Sequence, residues 1–334
     1  MHLISVAAVF LAAAAPVTAQ EVARFDTIEK AVEAAKKDKK DILVDFTGSD
    51  WCGWCIRLNE EVFSQEAFKK GAASKFVFVE LDFPQRKALA DEQKQYNARM
   101  QQLHGIEGFP TVLVLDSEGR AYAKTGYHEG GAEGYLKHLA EFAPRKEELS
   151  KLRKAWTDGP EADRLGALEN LLTKLGEWSV AGGYADLQEK SLELKEKSVD
   201  SDVKNASGNR ARYAKELALH FHRKKEAEKH AKYLKLLKEL DADSAAGIET
   251  MIWIETEVFP VLEKQDWQGA LDKLTPRLEL KGEAGQQASY FAAVCQFRLG
   301  SKEKTLELLE AAVKLAPKTA MAKDIEKTIA QLKQ

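Results

Sequence analysis

The first strong pattern along the chain is an apolar helical stripe followed by a strand. In "FDTIEKAVEAAKK", Ile28, Ala31, Val32 and Ala35 recur at helical spacing, with Asp26 placed to cap the start. "DILVDF" is a short run of strand formers with one acid inside it. Helical spacing returns at Ile56, Leu58, Val62 and Phe63, and "KFVFVELDF" predicts a second strand bounded by Pro84. "QRKALADEQKQYNARMQQLHGI" predicts a helix through Leu89, Tyr96, Met100 and Leu103. "FPTVLVLDSEGRAYAKTGY" predicts a hairpin turning at Asp116–Gly119, and "GAEGYLKHLAEFA" a closing helix. A parallel portion followed by an antiparallel hairpin implies an α/β sheet covered on both faces, with its site at the carboxyl end of the first central strand.

Beyond Pro144 the alternation of strands disappears, and Ala, Leu, Lys and Glu dominate at helical periods. A boundary between Ala143 and Glu147 is the expectation, dividing the chain into 20–144 and an all-α region, 145–334. From Arg210 the helical segments come in pairs. Ala293, Gly300, Leu309, Ala312 and Pro317 resemble the tetratricopeptide pattern of small residues, turn glycine and closing proline. "KSVDSDVKNASGNRA" reads as a polar connection, and the tryptophans of "LGEWSVAGGYADL" and "LEKQDWQGALDKL" as anchors between helices.

The amino terminus has a different pattern. Residues Leu3 to Ala15 are apolar, Pro16 breaks the run, and Val17-Thr18-Ala19 is a small-residue cleavage site. This predicts a signal peptide over 1–19, a secreted or periplasmic protein and no membrane span after cleavage, the run being shorter than the ~20 residues a spanning helix needs. With 334 residues, 50 Lys+Arg and 53 Asp+Glu, the net charge is -3, which gives no bulk field for nucleic acid or an acidic membrane.

Chemistry concentrates in "GSDWCGWCIRLNEEVF". A structural zinc site needs about four ligands and a second pair is missing; a c-type haem needs His after the second cysteine, where Ile56 stands. Neither a metal nor another cofactor is expected. A redox pair fits the flanks. At a helix start, the Cys52 sulfur faces unpaired backbone N–H groups that stabilise its thiolate, so Cys52 attacks and Cys55, a turn further in, resolves. A structural disulfide and a thiol peroxidase fit less well. The third cysteine, Cys295, lies in the apolar helical run "YFAAVCQFRLG" and reads as core.

"ILVDFTGSDWCGWC", "VFVELD" and "GIEGFPTVLVLDSEGR" together resemble the thioredoxin superfamily over about Phe25 to Pro144. The similarity is to secreted members related to the thiol-reducing domain of transmembrane disulfide reductases. It implies a thioredoxin-like α/β fold, a central mixed sheet flanked by helices, ahead of the helical-repeat-like region. The implied activity is thiol:disulfide exchange with exported proteins that carry cysteines or disulfides, fed by an upstream membrane electron donor. Cys52 then matches the attacking cysteine and Cys55 the resolving one. Pro110 matches a cis proline beside the pair, with Phe109 and Thr111 on either side as substrate contacts. Asp45 matches a buried acid that moves the resolving thiol's proton, against the alternative of a solvent-reachable strand-end acid. This chain departs from thioredoxin in three ways: "TGSD" sets Asp45 one residue farther from the first cysteine, "FVFVEL" carries no lysine, and Gly53-Trp54 replaces Gly-Pro. Trp51, Gly53 and Trp54 are the remaining substrate-side candidates, the tryptophans as an apolar rim. A rival reading makes the helical array a protein-binding scaffold and the first domain a recognition module with little turnover.

Overall fold

The computed structural model describes residues 22–333, so the expected leader at 1–19 lies outside the described residues. A two-residue strand β1 (Arg24–Phe25) precedes α1 (Ile28–Asp38), β2 (Asp41–Thr47), α2 (Gly53–Leu58) and a π-helical turn at Asn59–Phe63. Then come α3 (Glu66–Ala73), β3 (Phe76–Asp82), α4 (Asp91–Leu103), the hairpin β4 (Thr111–Leu115) and β5 (Ala121–Thr125), and α5 (Gly131–Ala140). The five strands lie in the order β1-β3-β2-β4-β5. β1, β3 and β2 run parallel, and β4 and β5 complete the sheet antiparallel. This mixed sheet with helical cover is the expected α/β architecture.

Central position explains the composition of β2. Every residue from Ile42 to Thr47 is buried, because helices cover both faces and the strand has no solvent side. Phe46 meets the ring of His104 at the end of α4, so Ile42, Val44 and Phe46 form one face. Leu43 and Asp45 form the other. There Leu43 registers with Phe78, which packs on Phe63, and Phe63 packs in turn on Phe68 and Tyr135.

Three local expectations are corrected. The α1 cap is Thr27, whose hydroxyl accepts from the Lys30 N–H at 3.4 Å, while Asp26 pairs with the Lys30 ammonium at 2.7 Å. The β-branched hydroxyl sits one residue closer and reaches the free amide. Residues 85–90 are not helical, because Asp50 accepts the N–H groups of Gln85, Arg86 and Lys87 and holds them in a loop. The edge strand β1 carries too little pattern to be seen in two residues.

The rest is helical: α6 (Ala143–Asp158), α7 (Arg164–Glu177), α8 (Ala185–Ser201), α9 (Arg210–Arg223), α10 (Ala227–Leu240), α11 (Ala242–Trp253), α12 (Phe259–Leu262), α13 (Trp267–Leu274), α14 (Gly282–Arg298), α15 (Lys302–Leu315) and α16 (Ala320–Leu332). The expected polar connection starts late, since α8 continues to Ser201.

The compositional change at Pro144 falls at the start of α6, but the compact units divide between Ser191 and Leu192. Two segments after Pro144 are bonded to the sheet: Lys146 of α6 pairs with Asp41 at 2.5 Å, and the buried Tyr184 hydroxyl, in the turn before α8, donates to the Ala121 carbonyl of edge strand β5 at 2.7 Å. In the second unit, Ala293, Leu309 and Ala312 share a buried cluster with Ile325, and Gly300 takes φ +83 at the turn between α14 and α15. Among the described residues, no helix is long and apolar enough to cross a membrane.

Candidate active site

The loop that leads from β2 to the cysteines is held on its outer side. Asp82 accepts from the Ser49 N–H at 2.9 Å and its hydroxyl at 2.6 Å, while Asp50 takes three amides of the 85–87 segment. The Gln85 amide is the first of those bonds to hold the exposed Asp50 carboxyl below its usual range. Gly48 admits the Trp51 ring where a Cβ would lie 2.6 Å from it. These bonds hold the extra residue of the loop and bring Cys52 to the helix.

Cys52 is the N-cap of α2 and forms a disulfide with Cys55, with Cα atoms 5.2 Å apart. Its sulfur accepts the Cys55 N–H at 3.3 Å. That amide is one of the donors left unpaired at a helix start. Both residues are buried, Cys55 at 2% exposure and Cys52 at 8%. Gly53 faces open space at the first helical position.

Phe109-Pro110 is a cis peptide, and the fold brings it beside the cysteine loop from more than fifty residues away in sequence. The Phe109 ring packs edge-on to Trp51 with centroids 5.9 Å apart and against Phe83 at 5.0 Å. The Trp51 indole donates to the Phe83 carbonyl at 2.7 Å. Thr111 is buried and bonds to the Gly108 carbonyl at 2.8 Å, so its hydroxyl is used inside the turn. Gly126 passes so close to the Pro110 carbonyl that a Cβ would stand 2.9 Å from it.

Asp45 is buried, not the solvent-reachable acid of the alternative reading. It is 5% exposed, and its Oδ1 has no hydrogen-bond partner among the described residues. Burial pushes its carboxyl well above the usual aspartate range, and the charge of Glu80, its register partner, adds to this. It shares its face of the sheet with Phe78, on which Phe63 packs from the π-helical turn that continues the Cys55-bearing helix α2. The carboxyl therefore lies on the side of the sheet covered by that helix.

A second group flanks the disulfide that sequence reasoning missed. Tyr127, just beyond β5, lies 5.1 Å from the Trp54 ring and donates to Glu61 Oε2 at 2.6 Å. Glu61 Oε1 accepts from Arg57 Nε at 2.6 Å, and the guanidinium lies over both rings. No local motif marks Tyr127; its signal is only that it follows the hairpin strand next to the cis-proline strand.

A Cys pair capping a helix beside a cis proline, on a β-β-β sheet of this order, defines a thioredoxin-like site. The thioredoxin-like domain family matches residues 28–143. The chain is 35% identical over 113 residues to the disulfide bond reductase DsbH of Chlamydia pneumoniae, covering 34% of this chain and 68% of that protein. It is 29% identical over 98 residues to the thioredoxin-related protein DsbJ of the same organism, covering 29% of this chain and 28% of that protein. A solved DsbH oxidoreductase matches at 31% identity over 41% of this chain and 95% of its own, with a TM-score of 0.36. The chain belongs to the thioredoxin-like family. Its kinship and its cysteine pair support a disulfide oxidoreductase at the family level.

Proposed function

We propose that the chain is an exported thiol:disulfide oxidoreductase acting on disulfides of other exported proteins through Cys52-Gly53-Trp54-Cys55. The observation that carries this is the Cys52 sulfur accepting a helix-start amide at 3.3 Å while Cys55 lies behind it, 2% exposed. In the reducing direction, the Cys52 thiolate attacks one sulfur of a substrate disulfide. A Cys52–substrate disulfide forms and the other substrate sulfur leaves as a thiolate. Cys55 then loses its proton and attacks Cys52. The second substrate thiolate leaves, and the Cys52–Cys55 bond holds the two electrons' worth of oxidation.

Asp45 suits the proton step, since burial raises the pKa of its carboxyl and so favours its holding a proton. Pro110 and Phe109 offer backbone to an extended substrate segment, with Thr111 holding their turn, and Trp51 and Trp54 give the rim. Dithiol is regenerated by an upstream membrane electron donor, as the family resemblance implies, and the leader-like residues 1–19 support export of the chain. The helical region after Pro144, with its tetratricopeptide-like spacing, selects or positions partners.

The test is turnover and trapping with the chain beginning at Gln20. With a thiol reductant present, the wild type is expected to accelerate reduction of a protein disulfide, and Cys55→Ser to accumulate mixed disulfides through Cys52. No turnover together with no trapped partner overturns the reading in favour of a binding module.

A further inference from the structure

The group around Tyr127 extends the exchange reading, on which this inference rests. Trp54 follows Cys52 by two residues and keeps 56% of its surface exposed. An exposed tryptophan at a helix start would ordinarily sample several rotamers, and substrate binding would have to freeze it. Here it is already held. Tyr127 packs on its ring, Arg57 lies 5.4 Å from its centroid, and Glu61 ties the two by hydrogen bonds of 2.6 Å to each.

The tie is electrostatic as well as steric. The Tyr127 hydroxyl is the first cause that holds the Glu61 carboxyl below its usual range, with Arg57 second. Tyr127 itself is anchored from behind. Gly126 lies against the Pro110 carbonyl, and its own carbonyl accepts from the Tyr135 hydroxyl at 3.1 Å. One chain segment therefore ties the cis-proline turn to the Trp54 wall. On the opposite side, the wall of Trp51, Phe109 and Phe83 is fixed by the Trp51–Phe83 hydrogen bond.

Arg57 and Glu61 form an ion pair beside the rings, Glu129 adds a negative charge near Arg57 and Tyr127, and the wall itself offers shape and aromatic surface. We propose that Tyr127 is a positioning residue for disulfide exchange. Through Glu61 and Arg57 it holds Trp54 as a preformed aromatic wall, which favours protein disulfides whose cysteine adjoins an aromatic residue.

Two peptide disulfides, identical except for Phe or Ser beside the cysteine, test this with the chain beginning at Gln20 and dithiothreitol as reductant. The wild type is expected to favour the Phe peptide by about fivefold in kcat/KM, mostly through KM. Tyr127→Phe keeps the ring but loses the bond to Glu61, and is expected to lower that preference about threefold with kcat for the Phe peptide changed less than twofold. Glu61→Gln, which keeps an acceptor but not the charge for Arg57, should fall between the two. The pH profile of Cys52 alkylation in reduced Tyr127→Phe should match the wild type; a shifted profile would assign the effect to the thiolate and overturn the positioning role. Turnover of both peptides without a preference, or a preference that both variants leave unchanged, overturns the inference and leaves the exchange reading standing. Turnover of neither peptide overturns the exchange reading, and this inference with it.

Discussion

Cys52 and Cys295 have the same side chain and opposite surroundings. Cys52 closes the start of a helix at the protein surface, accepts a backbone amide and has tryptophans on both sides of it in sequence. Cys295 lies inside α14, fully buried in a cluster with Ile254, Val258, Leu274 and Ala292, and burial pushes its thiol up to about 11. Its own backbone amide works the other way and favours the thiolate, but burial outweighs it. Reactivity therefore follows from the balance between the backbone donors near the sulfur and its burial.

The largest effects should separate these two thiols. Cys52→Ala is expected to abolish turnover, a loss of at least about 10³-fold, whereas Cys295→Ala should change kcat/KM less than twofold and cost about 1–2 kcal/mol in denaturant unfolding. In the reduced native protein at pH 7, iodoacetamide should modify Cys52 at least about 10²-fold faster than Cys295, read by mass spectrometry of the alkylated peptides. Comparable rates would erase the comparison.

Asp45 extends it from sulfur to proton. Its folded pKa is raised, so the stability that burial of the neutral acid contributes is complete below the ordinary 3.8 and falls as pH rises toward the folded value. Asp45→Asn should thus stabilise the protein by about 2 kcal/mol at pH 8 and little at pH 4, while slowing release of the mixed disulfide about tenfold. Urea melts at the two pH values and single-turnover quench measurements check both halves. A variant less stable than the wild type at pH 8 would contradict the buried, unpartnered carboxyl.

A histidine gives the opposite sign. His104 is buried after α4, against Gly183, where a Cβ would stand 2.9 Å from its ring, and burial lowers its pKa to about 4. A depressed histidine contributes stability above its ordinary 6.5 that is lost as pH falls through about 4. Melts between pH 7 and pH 4 should show a loss in the wild type that His104→Gln reduces by about 1–3 kcal/mol. The smallest expected change is Thr27→Ala, about 0.5–1 kcal/mol from the cap of α1, with Asp26→Ala smaller still in the same urea melts.

Much of this was legible in sequence because the signals are local. The apolar run of β2, the helical spacing of α1, the hairpin turn at Asp116–Gly119 and the Cys pair at a helix start each lie within a few residues. The loop at 85–90 was not legible, since the carboxylate that unwinds it is Asp50, thirty-five residues earlier. The bonds of Lys146 and Tyr184 to the sheet were not legible either, since their partners Asp41 and Ala121 lie far away in sequence.

By itself, the sequence determined the order of elements from α1 onward and which sulfur would cap the helix, since periodicity and helix-end chemistry act over a single turn. Tertiary structure decided what surrounds that sulfur. Phe109-Pro110 and Tyr127 reach the cysteine loop only when strands distant in sequence are registered side by side, and that registration is set by burial of both faces of β2 rather than by any local motif.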